Sequence, residues 1–186
     1  MKKNFLDQLL YLIAVKRGLI SAKSMAITGF KYDIKICYPD GSLQAEWPIE
    51  NLIPDAFLQQ WLASGLAGAA QVSNFYIGVY GNNRTPLSTD TSADLPGYGE
   101  ISTFDEGTRQ LWNKGSLLGN KYDSATDPAI LTASETLVAT GVFMSTESIF
   151  GNTGGFLVSA ALAPSPETVN AGSTLRIPAS ITLENI

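Results

Sequence analysis

The chain has 186 residues, with twelve Lys and Arg against seventeen Asp and Glu, 16% charged residues and 45% hydrophobic ones. A formal net charge of −5 supplies no phosphate-seeking field, which argues against nucleic acid as the main partner. The absence of histidine removes the commonest general base and metal ligand, and the single cysteine, Cys37, excludes an internal disulfide or thiolate metal cluster.

The length suits one sizeable core with an appended element. A surface so poor in charge must be built largely of Ser, Thr, Asn, Gly and apolar groups, which suits burial against protein neighbours.

The first segment, Asn4 to Arg17, reads as a helix: Asn4 is an N-cap, Asp7 sits in the first turn, Lys16 and Arg17 in the last, and Gly18 follows. Phe5, Leu9 and Ile13 share one face, flanked by Leu6, Leu10 and Leu12. The competing reading is a signal peptide, but the apolar run from Leu9 to Val15 is short for one and far too short to span a bilayer. A stripe of this width calls for a docking partner, on this chain or another.

Next, Tyr32, Ile34, Ile36 and Tyr38 alternate with Lys31, Asp33, Lys35 and Cys37, predicting a half-buried strand in which Cys37 is a packed thiol. Pro39-Asp40-Gly41-Ser42 then predicts a hairpin turn, with Pro presetting φ and Gly accepting the positive φ that follows. The return strand places Leu43, Ala45, Trp47 and Ile49 on one face. Pro54 at the first helical position, with Phe57, Leu58, Trp61 and Leu62 at helical spacing, predicts a short helix that ends at Gly65 and lids one open end of the core.

A strand from Asn74 to Tyr80 puts Phe75, Ile77 and Val79 inward, which sends Tyr76 and Tyr80 to the other face. From there to Gly107 the chain is dominated by Thr, Ser, Pro, Asp and Gly, broken by Tyr98 and Ile101; a loop this long is expected to be functional or ordered by a partner. Arg109 to Trp112 resumes strand character, and Asn113 to Pro128 is a second polar excursion. The last third carries the clearest alternation: Leu137, Ala139, Gly141 and Phe143; then Phe156, Val158, Ala160 and Leu162 after the turn-rich 151–155; then Leu175, Ile177, Ala179, Ile181 and Leu183. These faces require a second wall, so the expected fold is mainly β, an antiparallel β-sandwich of jelly-roll or Ig-like type with an N-terminal amphipathic helix and one short additional helix. Residues 1–25 form the helix and link, read as an anchor, and 26–186 a single sandwich domain with long loops at about 82–107 and 113–128.

Chemistry is hard to place on this sequence. Asp90, Asp94, Glu100, Asp105 and Glu106 cluster in the long loop but lack the Asp-x-Asp-x-Asp-Gly spacing of a calcium loop, so a solvated loop is the plainer reading. Gly115-Ser-Leu-Leu-Gly119-Asn120-Lys121 is one residue short of a phosphate loop between its glycines and has Asn where the Lys belongs. No nucleophile elbow, zinc-ligand spacing or dinucleotide fingerprint occurs. No catalytic residue, metal ligand or cofactor is therefore expected. The candidate partner-binding residues are Phe5, Leu9 and Ile13 on the helix and the aromatics Tyr76, Tyr80 and Tyr98, which are expected to be covered by a protein neighbour, or alternatively to stack on sugar rings.

The run Phe75-Tyr-Ile-Gly-Val-Tyr-Gly81, then Thr85 to Thr91, Gly97-Tyr-Gly-Glu100, Arg109-Gln-Leu-Trp112 and the closing strand from Val169 to Leu175 resembles a group of small tailed-bacteriophage structural proteins. The resemblance covers roughly residues 32–183 in order of elements and does not include the leading helix. It implies an antiparallel β-sandwich, without enzymatic activity, that decorates the capsid or joins the head–tail region, contacting capsid, portal, adaptor or tail subunits as a symmetric homo-oligomer. It implies a virion location after assembly in the host cytoplasm, with no nucleic-acid or membrane partner. A tail-fibre-base or receptor- and carbohydrate-binding module is the alternative.

Overall fold

The computed structural model describes residues 25–185. The predicted helix over Asn4–Arg17, and with it Phe5, Leu9 and Ile13, lies outside the described residues. Those described are mainly β, with two antiparallel sheets and two short helices.

The first sheet is built on β1 (Met25–Cys37), which turns back into β2 (Leu43–Glu50) through the predicted hairpin. Gly41 takes φ +84°, the Tyr38 N–H donates to Ser42 O at 2.9 Å, and Asp40 Oδ1 accepts from the Ser42 amide at 2.9 Å. The alternation holds: Tyr32, Ile34 and Ile36 are buried while Lys31, Asp33 and Lys35 face solvent. Tyr38 and Leu43, predicted to share the apolar side, stand at the hairpin tip beyond the core and are exposed.

On the other edge of β1 lie β9 (Thr174–Ile177) and β10 (Ala179–Asn185). They are two halves of one strand. The register against β1 runs unbroken from Cys37↔Thr174 to Phe30↔Ile181, and the interruption is Pro178, which has no N–H to give the ladder but whose carbonyl accepts from Asp33 N–H at 3.2 Å. Leu175, Ile177, Ala179 and Ile181 are all buried, as the alternation requires. The outer edge is likewise split: β5 (Lys121–Asp123) pairs with β10, and β6 (Ala129–Thr132) with β9.

The second sheet runs in the order β4 (Gln110–Leu111), β3 (Tyr76–Tyr80), β7 (Leu137–Ser145), β8 (Leu157–Val169). Its inner face, with Ile77, Val79, Leu137, Ala139, Val142, Met144, Val158 and Ala161, joins the inner face of the first sheet in one core. Here simple alternation fails. The β7–β8 register shifts between Ala139 and Gly141 and again between Met144 and Ser145, and each slip exchanges inward for outward side chains. Phe143 and Ala160, predicted inward with Leu137 and Val158, therefore lie with the partly buried Leu162 in a separate cluster on the opposite face.

The helix α1 (Asp55–Leu66) starts one residue later than predicted, with Pro54 as its N-cap. Gly65 does not stop it: the helix continues to Leu66, and Gly68 takes the positive φ of +72° just beyond. Phe57 is buried beneath it, whereas Trp61 remains 37% exposed.

Candidate functional site

The long segment between β3 and β4 is not an open loop. It forms a one-turn 3₁₀ helix at Ser92–Asp94 and the short helix α2 (Leu95–Tyr98), and closes over the outer face of the second sheet. Glycines make room for this cover. Gly78 and Gly141 stand across from Phe143 and Tyr80 in the β3–β7 pairing, and each aromatic ring lies where the glycine's Cβ would be. Tyr80 then meets Tyr98 edge to face, with ring centroids 5.0 Å apart, alongside Leu95 and Leu157. Both tyrosines are 0% exposed.

That burial corrects the expectation for Tyr80 and Tyr98. A second layer does cover them, but it is the chain's own segment, and neither ring reaches the surface. Tyr76, the third of the set, is half-buried at the start of β3. The sequence brought Tyr80 and Tyr98 together only as aromatics; the structure makes them one packed pair and leaves Tyr76 apart.

Four of the five acidic residues named in this segment, Asp90, Asp94, Glu100 and Glu106, are spent on holding it, while Asp105 is exposed. Asp90 accepts from Arg84 Nη2 at 2.6 Å, from the Tyr98 hydroxyl at 2.6 Å and from Leu87 N–H at 2.8 Å. Burial by itself would raise the Asp90 pKa, but these three donors outweigh it and hold the carboxyl below its ordinary value. Burial pushes Tyr98 up, and its bond to Asp90 adds to the rise; Tyr80 is raised mainly by burial as well. Arg84 also stacks 4.8 Å over the Tyr98 ring, and the guanidinium is held further toward its charged form by the Asp90 hydrogen bond. Asp94 caps the 3₁₀ turn by accepting from Thr91 N–H at 2.9 Å, and Glu106 accepts from Thr132 N–H at 2.9 and 3.0 Å.

The densest polar arrangement centres on Arg109, a residue whose sequence context predicts only a strand. Arg109, one residue before β4, has a fully buried side chain and makes a two-pronged ion pair with Glu100, Nε to Oε1 at 2.6 Å and Nη2 to Oε2 at 2.8 Å. Its remaining donors reach Ser145 Oγ at 3.2 Å, Glu147 O at 2.9 Å and Asn152 O at 3.0 Å, and Glu100 Oε2 also accepts from Gly151 N–H at 2.8 Å. The guanidinium lies 5.1 Å over the Phe143 ring. One arginine thus ties the covering segment to the turn between β7 and β8. No local pattern announces it, because the groups that accept from its guanidinium lie nine to forty-three residues away in sequence.

Among the described residues no group of three or more metal-ligating side chains comes together, and Cys37 is buried. Of the run Gly115 to Lys121, Gly119 and Asn120 form the turn of a tight hairpin closed by Leu118 and Lys121, with Leu118 84% exposed. A groove of about 310 Å³ opens beside α1, walled by the rings of Phe30, Phe57, Trp61, Phe75, Trp112 and Tyr122. Neither a protein-family model nor a curated protein matches this chain. No helix among the described residues is long and apolar enough to cross a membrane.

Proposed function

We propose that this chain is a non-enzymatic structural protein of a bacteriophage virion, accessory to the capsid or the head–tail region, which stabilises the particle through protein–protein contacts. The β domain is read as a sandwich of jelly-roll or Ig-like type repeated in a symmetric assembly with capsid, portal, adaptor or tail subunits, and the predicted helix over Asn4–Arg17 as its anchor. The observation that carries the reading is the division of labour among side chains. The ionic groups of the covering segment, Arg84, Asp90, Glu100 and Arg109, are spent on the chain itself, while Leu43, Leu87, Leu117, Leu118, Val138 and Ile149 stand exposed. Exposed apolar side chains in this number suit contact with neighbours. The carbohydrate-binding alternative drew on Tyr76, Tyr80 and Tyr98, and with two of those rings inside the protein no specific observation favours it.

Quantitative mass spectrometry of purified particles tests the proposal. Hundreds of copies per particle indicate a capsid coat and about a dozen or fewer a tail-axis position; absence from particles overturns the reading. Deleting residues 1–17 should leave the β domain folded and abolish incorporation, and normal incorporation would refute the anchor.

A further inference from the structure

The aromatic groove beside α1 is unfilled by any described residue, and it lies beside the first described strand. Phe30, one of its walls, is five residues into β1 from Met25 and pairs with Ile181, which pairs in turn with Tyr122 on the far wall. The rings form a connected set: Phe30 and Trp112 are 5.5 Å apart, Phe75 and Trp112 5.9 Å, Phe57 and Phe75 6.0 Å, and Phe57 and Trp61 5.8 Å. On the same helix Leu62 and Leu66, one turn apart, are also exposed. Among the described residues that line the groove, Lys114 is the one charged side chain, and it lies 5.8 Å over the Phe75 ring.

We infer that this groove is the docking site of the chain's own N-terminal segment, with Phe5, Leu9 and Ile13 as the inserted side chains. Three observations select this occupant. The segment carries Phe5, Leu6, Leu9, Leu10, Leu12 and Ile13 in a stripe that needs cover, and anchors at i and i+4 are how an amphipathic helix enters an apolar groove. At about 310 Å³ the groove sits at the small end of ligand cavities, the right scale for a few inserted side chains. The tether also fits. Five steps along β1 place Met25 roughly 17 Å from Phe30, and the seven residues 18–24 span up to about 25 Å, enough to bring Arg17 back to the groove. The inference goes beyond the virion reading and concerns the free chain before assembly, so it stands or falls separately from the anchor.

The test uses the full chain with a benzophenone side chain in place of Leu9, prepared as a mixture of isotopically light and heavy protein. After irradiation, adducts should join residue 9 to peptides from 57–75 or 112–122 of the same chain. Adducts between light and heavy chains would show that the groove receives a second copy, and adducts elsewhere, or none in the groove, would equally overturn the proposal. Trp61 and Trp112, two of the three tryptophans, line the groove and give a second readout. Leu9→Glu combined with Ile13→Glu should shift emission to the red and increase collisional quenching while the β-sheet circular dichroism is unchanged. Unaltered emission contradicts the docking.

Discussion

Replacing Arg109 with Met removes the guanidinium but keeps much of the aliphatic volume, so the change isolates the polar clasp. The Arg109 side chain is 0% exposed and that of Glu100 7%, so water does not screen the loss. Glu100 retains the Gly151 amide but loses both charged donors, and Ser145 Oγ, Glu147 O and Asn152 O lose theirs. A buried carboxylate left without its partner costs about 3–5 kcal/mol. That is a large share of the roughly 5–15 kcal/mol by which a domain is stable. Combining Arg109→Met with Glu100→Leu removes the stranded charge and should recover part of the loss. It should not recover all of it, since each acceptor left dry in the clasp still costs about 1–3 kcal/mol. Arg109→Lys should fall between, because one ammonium cannot span a carboxylate and three further acceptors. Urea unfolding followed by tryptophan fluorescence and by circular dichroism measures all three. A cost for Arg109→Met below about 1 kcal/mol, the range of a solvent-screened pair, would refute the clasp as a stability determinant.

Gly141→Ala puts a Cβ into the Tyr80 ring and against the Ala161 carbonyl, so the melting temperature should fall by the equivalent of about 1–3 kcal/mol or more; an unchanged melting temperature would mean that the Tyr80–Tyr98 pair yields easily. Tyr98→Phe removes one of the three donors to Asp90 and should cost about 1–3 kcal/mol in urea unfolding. On the alkaline side, Tyr32, Tyr80 and Tyr98 have folded pKa values raised by burial, so their contribution is complete below the unfolded value of about 10 and is lost as pH climbs through the folded values. Ultraviolet titration should therefore show these phenols ionising only with cooperative unfolding; early, reversible ionisation of all seven tyrosines would contradict the burial. On the acid side the sign reverses: Asp90 has a depressed folded pKa, so its stabilisation is present above about 3.9 and disappears as pH falls through the folded value. Asp90→Asn should flatten that part of the acid denaturation curve.

Much of this architecture is written locally. The Pro39-Asp40-Gly41-Ser42 turn follows from backbone preferences of the four residues themselves, and the alternation from Leu175 to Ile181 survives Pro178 because the register against β1 does not shift there. The sequence by itself thus determined the β class, the first hairpin, the position of α1 to within a residue or two and the inward face of the closing strand. Each depends only on side-chain period or turn chemistry, which act over a few residues.

What tertiary structure alone decided was which outward-facing side chains would be covered. The slips within β7 and β8 turn Phe143 and Ala160 away from the main core, and no period within either strand signals a bulge that exists only in their pairing. Tyr80 and Tyr98 read as surface aromatics because Tyr80 lies opposite Val79 in β3 and Tyr98 lies in a polar run; they become core because the chain from Asn82 onward folds back, with Gly78 and Gly141 leaving space for the rings. The Arg109 clasp draws together Glu100, Ser145, Glu147 and Asn152. Burying a charge is tolerable only when all of those partners arrive together, and that condition is met by the folded chain as a whole and by no stretch of it alone.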